Sequence, residues 1–335
     1  MKTITLSAFA FISILISSCS NNNTPNNNSD PNVDIYVAGY IPGSSQDQAV
    51  YWKNGVTTVL NGASNSQAKS IFVNGADVYV VGDNNNHNDA IFWKNNNIIP
   101  LTGTTSVTQY KSVFVSGNDV FVASDEAGGA LAKYWKNGTP IYLTNSTTFA
   151  STYSIYVTPT SDVYISGLRV AGPQLKNVAM YWKNNIPVIL TDSVNGASAH
   201  AIFVNGTDVY VAGFEYNGTN YIGKYWKNGQ VFTLTDGTQN ARISSIWFAN
   251  GNVYVGGAES VGSSGVIYIA KYWKNGQAIV IGNGANQPSE VLSMFVEGND
   301  VYACGYDGSN AVYWKNGVET IIGSGVGKSI YVVRN

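Results

Sequence analysis

Seven tryptophans, Trp52, Trp93, Trp135, Trp182, Trp226, Trp273 and Trp314, recur at intervals of 41 to 47 residues, each preceded by Tyr or Phe and followed by Lys-Asn. Units of this length cannot bury an apolar face alone, so the chain is constrained to stack them on one another. Along one unit, short apolar runs at Ser70 to Val73, Asp77 to Gly82, Ala90 to Lys94 and Ile98 to Thr102 predict four strands. Asn74-Gly75 joins the first two, and Asn54-Gly55 or Asn137-Gly138 joins the last two of other units. Two-residue hairpins favour such pairs because their central positions need positive φ. The pattern predicts an all-β, seven-bladed β-propeller with four antiparallel strands per blade, spanning residues 33–335.

The first unit begins at its second strand, Asp34-Ile35-Tyr36-Val37, and Ser329-Ile330-Tyr331-Val332 at the C-terminus matches the missing first strand. Pairing the two closes the first blade and removes the open edge between first and last units. This closure resembles that of WD40 and other propellers, although the Gly-His and Trp-Asp signatures of WD40 repeats are absent. The YWKNG units also resemble those of bacterial propeller lipoproteins, a likeness of architecture that implies no activity.

The N-terminus reads as an address. Lys2 precedes an apolar stretch of about 13 residues from Ile4 to Ile16, too short to span a bilayer. Ile16-Ser17-Ser18-Cys19 resembles the lipobox of bacterial lipoproteins, which implies a signal peptide over residues 1–18 and a lipid on Cys19. The alternatives are an ordinary signal-peptide end or a disulfide with Cys304. Residues 19–32 carry the Cys and an Asn-rich stretch with too few apolar side chains to pack, a flexible linker. Ser20 after the cysteine leans, by resemblance to lipoprotein sorting rules, toward the outer membrane. The expected location is the cell envelope, with the membrane reached through the Cys19 lipid and the chain monomeric.

Only 11% of residues are charged and the net charge is −2, which denies the chain the basic footprint that nucleic acid requires. Aligning second and third strands with Asp77 opposite Lys94, Tyr79 opposite Phe92 and Val81 opposite Ala90 makes Asp-Lys pairs recur, from Asp34 with Lys53 to Asp300 with Lys315, with Asn252 replacing Asp in the sixth blade. Such cross-strand pairs are structural. The first-strand aromatics Phe72, Phe114, Tyr156, Phe203, Trp247, Phe295 and Tyr331 are assigned to packing between blade faces. Cys304 occupies a position taken elsewhere by Ala38, Ala123, Ser166, Ala212 or Gly256, which suits a small buried residue.

Residues shared by every blade belong to the scaffold, so function is expected where blades differ, on the face carrying the variable loops. The candidates follow the end of each second strand: Tyr40, Asp83, Asp125, Glu126, Arg169, Phe214, Glu215, Glu259, Tyr306 and Asp307. Carboxylates from five blades, with Arg169 and the aromatics, would suit a sugar, a cationic peptide or a calcium ion. The expected function is a non-catalytic binding module for a glycan or protein. The alternatives are a polysaccharide lyase or glycoside hydrolase using those carboxylates, or an envelope scaffold. His87 and His200 are expected at the surface or in loops, and Asp83 to Asp89 lacks the glycine and glutamate of a calcium loop. No metal and no cofactor is expected.

Overall fold

Each sheet of a propeller lies between two others, so its central strands must be apolar on both faces. Tyr79, Val80 and Val81 are 5%, 1% and 0% exposed, which places successive side chains of one strand in two different interfaces. The structure, a computed structural model, describes residues 33–335 except 85–89, 103–107, 127–130, 146–148, 263–266 and 285–286. Cys19, the segment before it, the linker and His87 therefore lie outside the described residues.

The described residues form 28 strands in seven four-stranded antiparallel sheets. Blade 1 combines Val33–Ile41, Gln48–Lys53 and Val56–Ser64 with the C-terminal Val326–Arg334 as its inner strand. That pairing runs from Val33 opposite Arg334 to Tyr40 opposite Val326. Blades 2 to 7 follow in order, and their inner strands are Ser66–Asn74, Thr108–Ser116, Ala150–Val157, Ala197–Asn205, Ala241–Ala249 and Ser289–Glu297.

The seven inner strands surround a central channel, each against the next, and the last meets blade 1. Facing strand edges need partners for their backbone groups. The Ser that opens the inner-strand motif supplies several. The Val113 amide donates to Ser70 Oγ, Ile155 to Ser112, Met294 to Ser245, and Ile71 to Ser329. The repeated Ser is thus a stitch between blades.

All seven repeat tryptophans are buried at blade interfaces. Trp93 of blade 2 shares one apolar cluster with Tyr36, Ala38 and Leu60 of blade 1. Likewise Trp52 of blade 1 clusters with Cys304 of blade 7, and Trp273 of blade 6 with Ala212 of blade 5. The small residues leave room beside the next blade's indole, which accounts for Cys304 as packing. Burial pushes its thiol well above the ordinary range.

The first-strand aromatics depart from expectation. Phe72, Phe114, Tyr156, Phe203, Trp247, Phe295 and Tyr331 line the channel and form a closed ring, each centroid 4.4 to 5.1 Å from the next. Inner strands stand closest to the axis, so flat side chains aimed inward meet one another before they meet the next sheet. They make a collar across the channel.

The register between second and third strands is two residues away from the expected one: Tyr79 lies opposite Lys94 and Asp83 opposite Ala90. A two-residue slip keeps every side chain on its face. Lys94 Nζ therefore still reaches Asp77 Oδ2 at 2.7 Å along the diagonal, over the Tyr79 ring. The reason for the slip is Asn95, held in the left-handed region at φ 51°. Its Oδ1 accepts from the Val78 amide at 2.8 Å and its Nδ2 donates to Asp77 Oδ1 at 2.7 Å. The turn closes on the start of the second strand, and Asn54, Asn137, Asn184, Asn228, Asn275 and Asn316 repeat the first of these bonds in the other blades. The fourth strand of blade 2 is also shorter than expected, Asn97–Ile98, because the chain then crosses to blade 3, where the Thr102 carbonyl accepts from Trp135 Nε1.

Candidate functional site

Strand direction sorts the channel's two ends. Inner-to-second and third-to-outer hairpins lie at one end, the turn face. Second-to-third loops and the crossings between blades lie at the other, the loop face. Near the loop face every described inner strand carries a β-bulge, seen as a register shift at Ala68/Ser70 and its equivalents. A bulge gives one strand an extra residue and re-aims its side chain. The extra residues are Lys328, Lys69, Lys111, Tyr153, His200, Ser244 and Leu292 in blades 1 to 7, and all seven line the channel.

The bulge dictates the glycine that follows in the second strand. A Cβ on Gly82 would stand 2.1 Å from the Gln67 carbonyl oxygen, and one on Gly213 1.9 Å from that of Ser198. Neither distance is tolerable, so the recurrent glycine is the counterpart of the bulge. The loop-side half of the channel is thereby a pocket of about 460 Å³ with the aromatic collar as its floor.

The wall of this pocket is uneven. Lysines occupy three consecutive blades. Lys69 pairs with buried Asp83, and Lys111 Nζ lies 3.3 Å from Asp125 Oδ1. Burial lowers the Lys69 pKa against the opposing pull of Asp83, and burial raises that of Asp125 against Lys111. Lys328 stands 5.8 Å above the Tyr40 ring, and burial lowers its pKa while the field of Glu290 opposes. Farther round, His200 stacks on Tyr153 at 4.2 Å and 12° and meets Phe214 at 4.9 Å. Burial depresses the His200 pKa to about 4, and its Nε2 is buried with no hydrogen-bond partner. In blades 6 and 7 the rim carries Arg242, stacked on Tyr268 and paired with Glu290, which also accepts from the Tyr306 hydroxyl.

The expected site residues divide into two sets by alternation along the second strand. Those directly after the glycine position stand behind the pocket wall or at its rim: Tyr40 under Lys328, Asp83 on Lys69, Asp125 on Lys111, Phe214 on His200, and Tyr306 on Glu290. Those one residue further on leave the pocket. Glu126 pairs with Lys133 at 2.7 Å, Glu215 with Lys224 at 2.5 Å and Glu259 with Lys271 at 2.6 Å, each lysine coming from the third strand of the same blade. Arg169 lines a separate cleft of about 350 Å³ with Tyr142, Met180 and Trp182. Asp307 accepts from Gln287 at 2.8 Å and faces Glu319, whose pKa is pushed up to about 7, first by burial and then by Asp307. The expected ring of carboxylates is therefore not one site.

Sequence reasoning missed the bulge residues, and His200 is on an inner strand, not in a surface loop. A signal was present: the residue just before the repeated Ser or Ala, from Lys69 before Ser70 to Lys328 before Ser329, varies inside an otherwise constant motif. Glycine recurring inside a strand was a second one.

Beside the channel, a groove of about 430 Å³ runs outward over blades 4 and 5, lined by Tyr153, Leu175, His200, Phe214, Tyr216 and Tyr221. Its rings form a continuous series: Phe214 meets Tyr221 at 4.9 Å, and Tyr221 meets Tyr216 at 5.3 Å. Among the described residues no cluster of three or more His, Cys, Asp or Glu is arranged to hold a metal ion.

No protein-family model and no curated protein matches the chain. Solved structures do. The β-propeller domain of the Trilobed protease from Pyrococcus furiosus aligns with TM-score 0.55 and 10% identity, over 88% of this chain and 93% of that one. That domain is described as having an open velcro topology, whereas here the C-terminal strand closes blade 1. An acylaminoacyl peptidase in complex with Z-Gly-Gly-Phe-chloromethyl ketone aligns with TM-score 0.53 and 12% identity, over 88% of this chain and 51% of that one. The acylaminoacyl peptidase of Pyrococcus horikoshii gives TM-score 0.51 and 12% identity, over 87% and 50%. The chain spans about half the length of both peptidases, and likeness at these identities is one of fold alone.

Proposed function

We propose that this seven-bladed propeller is a non-catalytic binding module that takes a glycan on its loop face, along the groove leading into the channel. The carrying observation is the series Tyr153, His200, Phe214, Tyr221 and Tyr216, five rings in sequential contact along a groove. Sugar rings present C–H faces that pack on such surfaces, while a protein partner would ask for a larger apolar patch. Tyr221 is 44% exposed, so the series reaches solvent. Glu126, Glu215 and Glu259 favour binding over hydrolysis, since each is tied to a lysine of its own blade outside the pocket.

The test is an oligosaccharide array probed with the full chain, followed by titration of the best ligand. Tyr221→Ala and Phe214→Ala are each expected to weaken it about tenfold or more, equivalent to about 1.4 kcal/mol. Unchanged affinity in both variants would remove the groove from the site, and capture of a protein but no glycan would overturn the glycan reading. The same reading puts the module at the cell envelope on a Cys19 lipid. Cys19→Ser is expected to release it from membranes into the soluble fraction.

A further inference from the structure

The three lysines of blades 1 to 3 do not balance. Two carboxylates, Asp83 and Asp125, stand against three ammonium groups, and their ion pairs in the channel are with Lys69 and Lys111. Lys328 has the Tyr40 ring beneath it and feels the field of Glu290, but among the described residues it forms no ion pair of its own. Glu290, the other nearby carboxylate, is committed to its ion pair with Arg242 and reaches Lys328 only through its field. One positive charge is thus left inside a pocket whose floor is aromatic, with Leu292 of blade 7 beside it and the Tyr153–His200 stack on the far wall. Across the pocket lies a buried imidazole nitrogen without a partner, His200 Nε2.

Burying a cation without a counter-ion destabilises a fold, and a protein retains one where something else repays the cost. A neutral channel would be filled more stably by Met or Leu at position 328, as Leu292 does in blade 7. We propose that the loop-side pocket of the channel binds an oxyanion, a carboxylate or sulfate ester on an acidic glycan, with Lys328 as its principal cation, Lys69 and Lys111 flanking it. This deepens the glycan reading and rests on it for the statement that the anion is carried by a sugar. The oxyanion displaces water from Lys328, completes the charge balance of the arc, and leaves the attached sugar to run outward over the rings of blades 4 and 5.

Lys328→Met is the informative variant, because removing Lys69 or Lys111 would strand a buried carboxylate. The full chain is titrated with inorganic sulfate, with a galacturonic acid trimer and with the trimer's methyl ester, at constant ionic strength. Sulfate and the acidic trimer are expected to bind the unaltered protein, with the trimer tighter by tenfold or more and the ester weaker than the acid by a similar factor. Lys328→Met is expected to weaken sulfate at least tenfold while raising the melting temperature of the unliganded protein, and Lys328→Arg to retain binding. Equal sulfate affinity in Lys328→Met, or an acidic trimer that binds more tightly than sulfate but no more tightly than its ester, would overturn the oxyanion site. Sulfate bound through Lys328 with no gain from the trimer would leave the oxyanion site standing and remove the glycan. A gain in the ester that Tyr221→Ala abolishes, with no response to Lys328→Met, would do the reverse.

Discussion

The two ends of the channel are built from the same seven strands and behave as opposites. At the turn face, one solution repeats: a Lys-Asn turn whose Asn bonds the second strand's amide, with the Lys on an Asp in six blades. At the loop face the backbone solution also repeats, a bulge with glycine opposite in six blades and Ser124 in blade 3, but its side chains are three lysines, a tyrosine, a histidine, a serine and a leucine. Identical side chains on an identical backbone are what assembly needs. Different side chains on an identical backbone give seven independent positions around one pocket.

The contrast breaks most directly at glycine. Gly82→Ala, opposite the bulge, is expected to cost on the order of 3–5 kcal/mol, because the new Cβ meets backbone oxygen that cannot move without dissolving the bulge. Gly75→Ala at the turn face finds open space and bears only a left-handed backbone, about 1–2 kcal/mol. Denaturant unfolding of the two variants checks the ordering, and similar losses would mean that the bulges are not rigid.

The next effect is one of pH. Burial holds the His200 pKa down to about 4, below its unfolded value of 6.5, so the folded state resists protonation. The stability this carries is complete above pH 6.5 and is lost as pH falls toward 4, on the order of 2–3 kcal/mol. His200→Phe keeps the stack with Tyr153 and is expected to remove that part of the acid loss, measured as the difference in unfolding free energy between pH 7 and pH 4. An unchanged difference would place the imidazole in contact with water.

At the turn face, Asn95→Ala removes the bonds to Val78 and Asp77 and puts Ala at positive φ. About 2 kcal/mol is expected from two lost exposed hydrogen bonds and one strained residue, with ligand binding unaltered. A binding defect in this variant would couple the two ends.

The smallest effect concerns the carboxyl pair peculiar to blade 7. Burial and Asp307 raise the Glu319 pKa to about 7, so its contribution is full below its ordinary 4.5 and is lost as pH rises through 7. Glu319→Gln is expected to raise the melting temperature at pH 8 by about 1–2 °C and to change it less at pH 5. An equal shift at both would assign the gain to packing instead.

Much of this molecule was legible before any coordinates. The spacing of the Lys-Asn tryptophans gave blade number, and Ser329 to Val332 gave the closure, because burial on both faces and hairpin turns leave local marks in sequence. The Asp-Lys pairing was legible too, since alternation fixes faces even where register is off by two. The geometry of the candidate site was legible only in part. Tyr40, Asp83, Asp125, Phe214 and Tyr306 stand at the pocket wall or its rim, whereas Glu126, Arg169, Glu215, Glu259 and Asp307 turn away from it, because the side of a strand end that faces the axis depends on how each sheet meets its neighbours.

The sequence by itself determined that this chain makes seven similar sheets, which end meets which beginning, and which residues every sheet shares. The sheets and their shared residues are consequences of period, alternation and turn chemistry, encoded within some forty residues of one another, and the matching ends follow from the one strand that the first repeat lacks and the C-terminus supplies. Only the tertiary structure decided that Lys328, Lys69, Lys111, Tyr153 and His200 share one pocket. They come from different repeats and meet only because bulges at one height in seven inner strands turn their side chains toward a common axis, and closure of the ring, a long-range event, creates that axis.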